Sequence, residues 1–475
     1  MPPPDAMVVP VDPDARAFRP APRRATLRGW GGGAGAVGWS LRPDRAQAMG
    51  AALELFRERA GGPDAWAGVI PRGMGRSYGD AAQLLGGLAL DMTALKGFEL
   101  DPDQGTVTAG AGVTIGELLE HLVPAGWMVP VVPGTQHVSV GGAIASDIHG
   151  KNHGAAGTFG SHVVSLTLLK SSGEIVELFP GANERLFEAT VGGMGLTGAI
   201  LSARIRLAPV SSPLLSVDTD RVGDLEHALA VLGEPGGPYR VAWLDLLGTR
   251  PGRGIVTRAS HVTGGAVPLP VRGAATATAR TEVPAGWPSG LLRPGAVRAF
   301  NELRFRRAPT SERGRVEAIG RHMFPLDWLG AWPRLYGSTG LVQYQLVVPH
   351  GAERVLDSVV AELRRAWIPC YLAVLKDFGA PNRAPLSFPL GGWTLALDLP
   401  RTAPGIGAAL DRCDALVAAA GGRVYLTKDA RLRPEALAAM YPRLKEWRAV
   451  RDEADPGFVW RSDLALRTGL VTVAR

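Results

Sequence analysis

The sequence predicts an α+β fold with more than one domain. Its 475 residues are enough for two or three domains, each with a core of its own. Short apolar strands and amphipathic helices are interspersed along the chain. Three glycine-rich loops lie between them, at residues 71–80, 133–154 and 192–198. The predicted elements are arranged around these three loops.

Composition and charge narrow the classes of protein that fit the sequence. It is 46% apolar and 20% charged, which is ordinary for a globular protein. The two cysteines, Cys370 and Cys413, are too few for a disulfide framework and lack the C-x-x-C spacing of a zinc site. A net charge of +7 fits an anionic membrane surface or a phosphorylated substrate. No nucleic-acid partner is expected, because no RNA-recognition signature or long lysine run is present.

The N-terminal part has neither a recognisable signal peptide nor an apolar run near the ~18 residues of a membrane span. We therefore expect a cytoplasmic protein. Residues 1–25 are rich in proline and arginine without periodicity and are expected to form a flexible tail. Residues 31–38 contain a formal G-x-G-x-x-G, but no strand precedes it and Pro43 interrupts the helix that should follow. A turn is expected there.

The first glycine-rich loop follows a predicted helix and strand. Apolar residues at helical spacing predict a helix over residues 45–59, and residues 66–70 form a short apolar strand. This strand runs into Pro-Arg-Gly-Met-Gly-Arg-Ser-Tyr-Gly-Asp at residues 71–80. The elements predicted next are strands at 88–90 and 106–112, a helix at 114–122 and a strand at 128–132.

The central loop is too rich in glycine to predict a helix. Glycine lets backbone N–H groups approach a ligand, and successive N–H groups in turns form a concavity that suits a pyrophosphate. A hairpin is predicted over residues 163–178. The third loop again matches G-x-G-x-x-G, but residues 199–207 after it alternate like a strand, so the dinucleotide fingerprint fails. Three such loops without a Rossmann unit indicate a different flavin or nucleotide fold.

Composition shifts at residues 209–213, which predicts a domain boundary. In the region that follows, residues 263–298 form an aperiodic insert, expected to be mobile, and residues 301–307 are basic and amphipathic. Period 2 puts several polar residues on common strand faces: Gln343 with Gln345, Lys376 with Phe378, and Thr394 with Asp398. These faces form either the polar wall of a cavity or a solvent-facing side of a sheet.

The C-terminal part is predicted to form a strand over residues 423–427, followed by two helices at 434–440 and 444–453. Lys428 directly follows the strand. At such a position a lysine is usually a solvated turn residue, unless this segment folds back onto the part of the chain that carries the glycine loops.

With these residues in view, the chain resembles the FAD-containing oxidase subunits of decaprenylphosphoryl-β-D-ribose 2-epimerases, in the vanillyl-alcohol-oxidase class. Residues 71–80, 141–153 and 192–198 match motifs that this class shares. Narrower matches are Tyr239 to Asp245 with Trp243, Gln343-Tyr344-Gln345, Leu375-Lys376-Asp377-Phe378 and Tyr425-Leu426-Thr427-Lys428-Asp429. Together the matches cover the chain from about residue 25 onward.

The resemblance implies a bipartite FAD-binding domain of the vanillyl-alcohol-oxidase type. Its parts are residues 26–209 and a C-terminal segment, 421–475, and an antiparallel-sheet substrate domain, 210–420, is inserted between them. FAD is expected to bind noncovalently. The implied cofactor-binding residues are Pro71, Arg72, Gly73, Met74, Gly75, Arg76, Ser77, Tyr78, Gly79, Asp80, Ala81, Gly134, Ser139, Val140, Gly141, Gly142, Ser146, Asp147, Ile148, His149, Gly195, Ile200, Tyr425 and Lys428.

The resemblance also implies the reaction. FAD takes a hydride from C2 of the lipid-linked ribose and leaves a 2-keto intermediate, which a separate NADH-dependent short-chain reductase subunit reduces from the opposite face. The product is the arabinose donor for cell-wall arabinan. Lys428 is the first candidate for the acceptor of the hydroxyl proton and His149 the second. The implied substrate residues are His149, Lys151, Trp243, Gln343, Gln345, Lys376, Phe378 and Thr394.

The same resemblance implies peripheral contact with the inner membrane, with its periplasmic face as the alternative. Two positions depart from the mycobacterial pattern: Ala396 replaces a cysteine, and Thr394 replaces an asparagine. His149 and His153 are spaced i,i+4, but Gly150 and Gly154 argue against the helix that a zinc pair needs, so no metal is expected. The functional alternatives are a soluble alditol or aldonolactone oxidase that releases hydrogen peroxide, and a noncatalytic flavin-binding assembly subunit.

Overall fold

The computed structural model describes residues 21–263, 273–288 and 292–471. Residues 1–20 of the predicted tail lie outside the described residues, and so do residues 264–272 and 289–291 of the predicted insert. The described residues of the tail and the insert correct one predicted boundary of each. Residues 23–25 of the predicted tail belong to a strand, and residues 294–298 of the predicted insert belong to a helix.

The described residues form 21 strands. They are β1 Arg23–Leu27, β2 Ala36–Leu41, β3 Val69–Arg72, β4 Leu88–Asp91, β5 Phe98–Asp101, β6 Thr106–Gly110, β7 Trp127–Met128, β8 Val163–Leu169, β9 Ile175–Leu178, β10 Ala199–Arg206, β11 Ala208–Pro209, β12 Leu214–Val222, β13 Tyr239–Asp245, β14 Arg253–His261, β15 Thr281–Glu282, β16 Ser311–Ala318, β17 Leu329–Gly330, β18 Leu341–Pro349, β19 Leu372–Phe378, β20 Gly392–Pro400 and β21 Arg423–Val424.

Thirteen α-helices accompany the strands in the same part of the chain. They are α1 Ala46–Arg59, α2 Ile115–Leu122, α3 Val140–Ala145, α4 His153–Ala156, α5 Glu184–Thr190, α6 Leu225–Gly233, α7 Pro294–Arg307, α8 Ile319–Met323, α9 Arg354–Arg365, α10 Ile406–Ala419, α11 Pro434–Met440, α12 Leu444–Ala454 and α13 Asp463–Thr468.

The first part of the chain builds two sheets. One has the order β1-β2-β4-β3, with parallel pairing of β4 to both β2 and β3. The other has the order β5-β6-β10-β8-β9 and is antiparallel. Helix α2 begins at a capping box, in which Thr114 accepts from the backbone N–H of Glu117 and the Glu117 carboxylate accepts from that of Thr114. The helix buries Ile115, Leu118, Leu119 and Leu122 in the core.

The middle of the chain builds one antiparallel sheet of eight strands in the order β16-β12-β14-β13-β19-β20-β18-β21. Helices α6 and α10 pack against it, and α9 packs against α10. Helix α9 is amphipathic, with buried Leu356, Val359, Val360 and Leu363 at helical spacing. Helices gathered on an antiparallel sheet are typical of the α+β class, as the sequence predicts.

The C-terminal segment returns from this sheet to the first part of the chain. After β21 the chain turns, because the backbone N–H of Lys428 donates to the carbonyl of Tyr425 at 2.9 Å. Farther on, the backbone of Val69 bonds to both Val459 and Arg461. The predicted strand over residues 423–427 is therefore too long: only Arg423–Val424 is a strand, and the turn brings Lys428 toward the first glycine loop.

The central loop corrects another expectation, because α3 and α4 are helical despite their glycines. Tertiary packing explains the helix at α3. Ser139 caps it by accepting from the backbone N–H of Gly142, and Val140, Ala143 and Ile144 are fully buried. A Cβ on Gly141 would lie 2.9 Å from that of Ala111, so this glycine allows the helix to approach the neighbouring chain.

Arg467 joins the first glycine loop to the C-terminal turn by ion pairs of 2.8 Å to both Asp80 and Asp429. Replacing Arg467 by glutamine leaves two mostly buried carboxylates without their cation. Loss of one partner of a buried pair costs about 3–5 kcal/mol, and partial exposure of Arg467 reduces this to about 2–3 kcal/mol. Urea unfolding should show this loss as a lower midpoint.

The matched control is Arg383→Gln, because that arginine is 80% exposed and pairs with Glu184 at the surface. Its unfolding midpoint should stay at the wild-type value. Equal midpoints for wild type and Arg467→Gln would show that this junction does not hold the two segments together.

Candidate active site

A cavity of about 1490 Å³ lies between the glycine loops, the C-terminal turn and the eight-stranded sheet. It exceeds the ~300–1,000 Å³ of ordinary small-molecule sites, so it has room for a large cofactor and a second ligand. Most residues predicted for the site line it: Pro71, Gly73, Met74, Gly75, Arg76, Ser77, Tyr78, Ala81, Gly134, Ser139, Gly141, Gly142, Ser146, Ile148, His149, Lys151, Gly195, Ile200, Trp243, Gln343, Gln345, Lys376, Tyr425 and Lys428.

The first glycine loop presents unpaired backbone donors to this cavity. The five amides from Gly73 to Ser77 donate to no acceptor among the described residues. A Cβ on Gly73 would lie 2.2 Å from Oγ of Ser139, so a side chain here would displace the hydroxyl that caps α3. A row of free N–H groups in a close-packed turn is suited to a pyrophosphate. The residues present therefore fit the cofactor that the sequence predicts.

Seven predicted residues do not line the cavity, and each has a structural role behind its wall. Arg72 donates to the carbonyls of Ala82 and Arg28. Asp80 pairs with Arg467, and Gly79 lies against the C-terminal turn. The other four are buried: Val140 in the core, Asp147 bonded to Asn382, Phe378 against the His149 ring and Thr394 bonded to Gln345.

Asp147 fastens the central loop to the segment before β20. Its carboxylate accepts from Asn382 at 2.7 Å and from the backbone N–H of Gly160 at 3.0 Å, and it also bonds to Ser387. Its backbone has φ of +40°, a conformation that is strained for a residue with a side chain. These bonds hold the chain as it leads into His149.

His149 is held by contacts at both ring nitrogens. Thr394 donates its hydroxyl to the carbonyl of Leu346 and therefore accepts from the side-chain amide of Gln345, which orients that amide. The same amide donates to Nε2 of His149 at 2.9 Å. The neutral ring then carries its proton on Nδ1, which lies 3.3 Å from the Lys376 amine and donates to it when that amine is neutral. Burial, reinforced by the charge of Lys376, holds the pKa of His149 well below its usual range.

Lys428 is placed differently, with its amine 3.9 Å from the centre of the Tyr78 ring and lining the cavity. It forms no ion pair within 4 Å among the described residues. Burial lowers the pKa of Lys428 to about 7, and the charge of Asp398 opposes this shift. The amine is therefore able to exchange a proton near neutral pH.

Asp398 is the carboxylate behind this amine. It is 1% exposed, and Oδ1 accepts from the side-chain amide of Gln343 at 2.6 Å. Oδ2 is buried and has no partner in the part of the chain that the structure describes. Burial raises the pKa of Asp398 to about 6. The period-2 pattern predicted its strand face but not its relation to Lys428, which depends on the position of the C-terminal turn.

Two further lysines line the cavity, and both can lose their charge at a pH close to neutral. Burial lowers the pKa of Lys151 to about 7 and that of Lys376 to about 8. Lys151 donates to the carbonyl of His322, whose ring bonds to Glu317 at 2.8 Å. Sequence reasoning missed Glu317, His322, Arg304 and Asp327, all of which line the cavity. Of these four residues only Arg304 had a signal in the sequence, which is the basic pattern at residues 301–307.

The described residues contain no group of three or more metal-ligating side chains arranged for a metal ion. Nor does any helix in the described ranges have the length and apolar character needed to cross a membrane.

Comparison with known proteins agrees with this geometry. A family of FAD binding domains matches residues 42–179. The decaprenylphosphoryl-β-D-ribose oxidase of Mycolicibacterium smegmatis is 39% identical over 94% of this chain and 97% of its own length.

The chain belongs to the decaprenylphosphoryl-β-D-ribose oxidase family.

Membership of this family confirms the resemblance seen in the sequence, and with it FAD as the cofactor and the activity of an FAD-dependent oxidoreductase. An uncharacterised protein of Streptomyces coelicolor is 40% identical over 75% of this chain and all of its own length. L-gulonolactone oxidase 3 of Arabidopsis thaliana is 32% identical, but over only 23% of this chain. The likeness to this lactone oxidase is thus limited to less than a quarter of the chain.

Replacing Asp398 by asparagine tests its influence on Lys428. Because the carboxylate raises the pKa of Lys428, its removal should shift the pH dependence of sugar oxidation to lower pH, by up to about one unit. The control is Asp103→Asn, an exposed carboxylate on a turn, which should leave the profile unchanged. A profile for Asp398→Asn that matches wild type would mean that the two groups do not interact.

Proposed function

We propose that this chain oxidises the 2-hydroxyl of the ribose in decaprenylphosphoryl-β-D-ribose to the 2-keto compound, with FAD as hydride acceptor. The observation that carries the proposal is the identity of 39% over nearly the full length of an oxidase named for this substrate. The reaction is the first half of an epimerisation that yields the arabinose donor for cell-wall arabinan.

The charges around the cavity support a phosphorylated substrate. Seven basic side chains line it against two carboxylates, Glu317 and Asp327. Four are the arginines Arg76, Arg280, Arg304 and Arg321, and three are the lysines Lys151, Lys376 and Lys428, whose pKa values of about 7 to 8 leave them partly protonated at neutral pH. A neutral alditol does not explain such an excess of basic over acidic side chains, whereas a cofactor pyrophosphate and a substrate phosphodiester both do. The alditol or aldonolactone oxidase and the noncatalytic subunit are the less favoured functions, because the near-full-length relative is an oxidase named for the phosphorylated sugar.

FAD would be held by the free amides of Gly73 to Ser77 and by the loop that begins at Ser139, and when bound it supplies the hydride acceptor. We propose that the attachment is noncovalent. Both nitrogens of His149 are already engaged, and the Tyr425 hydroxyl donates to the carbonyl of Ser146 at 2.8 Å. Acid precipitation of the protein should release all of its flavin into the supernatant.

Lys428 is our choice for the group that receives the hydroxyl proton. Its amine faces the cavity, is not held by an ion pair among the described residues and has a pKa near 7. His149 is less suited, because its Nε2 already accepts from Gln345. After accepting the proton, Lys428 becomes a cation, and the charge of Asp398 stabilises that form. Gln345 and Lys376 would then orient the sugar.

In this scheme the eight-stranded sheet is the main part of an inserted substrate domain. Seven of its strands lie within residues 214–400, between the two segments that we assign to a bipartite FAD-binding domain of the vanillyl-alcohol-oxidase type, and the eighth, β21, belongs to the second segment. The keto product requires a reductase to complete the epimerisation, and an NADH-dependent short-chain reductase is the partner we propose. Because the substrate is a lipid, we also propose peripheral association with the inner membrane, from the cytoplasmic side or, alternatively, at the periplasmic face.

The proposal is tested by mixing the holoenzyme anaerobically with a prenylphosphoryl ribose and following the flavin absorbance. Loss of absorbance, with one 2-keto product per flavin, is the expected result. Sustained peroxide formation from soluble alditols or aldonolactones, with no response to the phosphorylated sugar, would favour the alternative oxidase. A flavin that responds to neither substrate class would favour the noncatalytic subunit.

A further inference from the structure

Helix α7 lies at the mouth of the cavity and is firmly attached to the sheet. The side chain of Asn301 donates to the fully buried Asp245 at 2.9 Å. Next to it, Glu302 pairs at 2.6 Å with Arg253 on β14, which also bonds to Asp245. These contacts hold α7 in one orientation relative to β13 and β14. The face that it turns to the cavity is therefore a fixed part of the wall.

Arg304 is the charged group on that face. It is exposed to solvent and also lines the cavity, which places it at the mouth. Its guanidinium carbon lies 4.9 Å from the centre of the Trp243 ring. Arg304 pairs with no carboxylate among the described residues, whereas Arg306 on the same helix bonds to Glu302 at 2.5 Å. A planar cation laid on an aromatic ring, with its donors unused, is well suited to a phosphate.

Apolar side chains adjoin this arginine. Phe300, one helical turn before Arg304, lines the cavity and is 60% exposed. Leu303 on the same helix is 48% exposed, and Trp328, also at the cavity wall, is 49% exposed. Large apolar groups left in water beside a cavity mouth indicate a binding surface. A cation next to such a surface matches an anionic head group joined to a hydrocarbon chain.

We propose that α7 recognises the prenyl phosphate of the substrate, with Arg304 binding the phosphodiester on the Trp243 ring and Phe300 and Leu303 contacting the first isoprenoid units. The inference rests on the proposed function and deepens it. Lys428 and Lys376 lie at the inner end of the cavity, beside the glycine loops and His149. The phosphodiester joins the sugar to the lipid, so it must lie between that end and the mouth.

The test uses the full-length holoenzyme and two substrates, farnesylphosphoryl ribose and methylphosphoryl ribose. Arg304→Gln should raise KM about 10- to 100-fold for both substrates, the effect of losing a charge-assisted hydrogen bond, while kcat changes less than about twofold. Phe300→Ser should raise KM for the farnesyl compound alone. Arg306→Gln is the matched control, with wild-type constants for both, because that arginine is paired away from the cavity.

A second readout does not depend on turnover. Farnesyl phosphate should bind the holoenzyme in calorimetry, with affinity lost in Arg304→Gln and kept in Arg306→Gln. Flavin content and circular dichroism establish that each variant is folded. Wild-type KM and affinity in Arg304→Gln would overturn this assignment and leave the proposed function intact. Failure of the wild-type enzyme to oxidise either substrate would instead overturn the proposed function, and this assignment with it.

Discussion

Replacing Lys428 by methionine is expected to slow oxidation of the sugar by about 10²- to 10⁴-fold, the usual contribution of a positioned general base. FAD should stay bound, because its proposed cradle consists of backbone amides that this side chain does not form. Methionine keeps an apolar stem against the Tyr78 ring and removes only the amine. Stopped-flow measurement of flavin absorbance under anaerobic conditions gives the rate.

The pH dependence of the oxidation rate tests the same role of Lys428. An amine accepts a proton only in its neutral form, so the wild-type rate should rise with pH through about 7 and then level off, following the pKa of Lys428. This rise of the rate with pH, the acid limb of the profile, should be absent from Lys428→Met. Lys445→Met, at an exposed helix position, is the control and should keep both the rate and the limb. If Lys428→Met retained the limb near pH 7, the proton acceptor would be another group.

Replacing Gly79 by alanine should lower both FAD occupancy and stability. A Cβ at this position would lie 1.8 Å from the backbone oxygen of Asp429, which has no side-chain rotamer by which to move away. The preceding residue, Tyr78, donates its backbone N–H to the carbonyl of Thr427 at 3.0 Å, so the added methyl separates the glycine loop from the turn that carries Lys428. Overpacking usually costs 1–3 kcal/mol, and we expect about 3 kcal/mol or more against fixed backbone.

The measurements are the flavin-to-protein absorbance ratio after purification and the midpoint of thermal unfolding. Gly50→Ala in α1 is the matched control, since a Cβ there meets no atom within 4 Å. It should leave FAD occupancy unchanged and, as alanine is favoured within helices, stabilise the protein by about 0.5–1 kcal/mol. Full flavin content and an unchanged midpoint in Gly79→Ala would show that the two segments can separate without consequence.

Local patterns in the sequence predicted many of the helices and strands that the structure contains. The helices α1, α2, α11 and α12 follow from apolar spacing, and the strands β8, β18, β19 and β20 from alternation or apolar runs. The glycine loops predicted a flavin or nucleotide fold other than a Rossmann unit, and the matching family is one of FAD binding domains. The prediction of a loop at α3 was wrong, because its helix depends on burial of Val140, Ala143 and Ile144 rather than on intrinsic propensity.

The sequence by itself determined the cofactor class, the strand faces that carry Gln343, Gln345 and Lys376, and the presence of a lysine after β21. These features depend on residue type and short spacing, which local chemistry controls. Only the tertiary structure decided that those faces line a cavity instead of meeting solvent, that Gly79 and Asp80 hold the C-terminal turn, and that the charge of Asp398 acts on Lys428. These relations join residues far apart in the chain, and their distances are set by packing that no local pattern encodes.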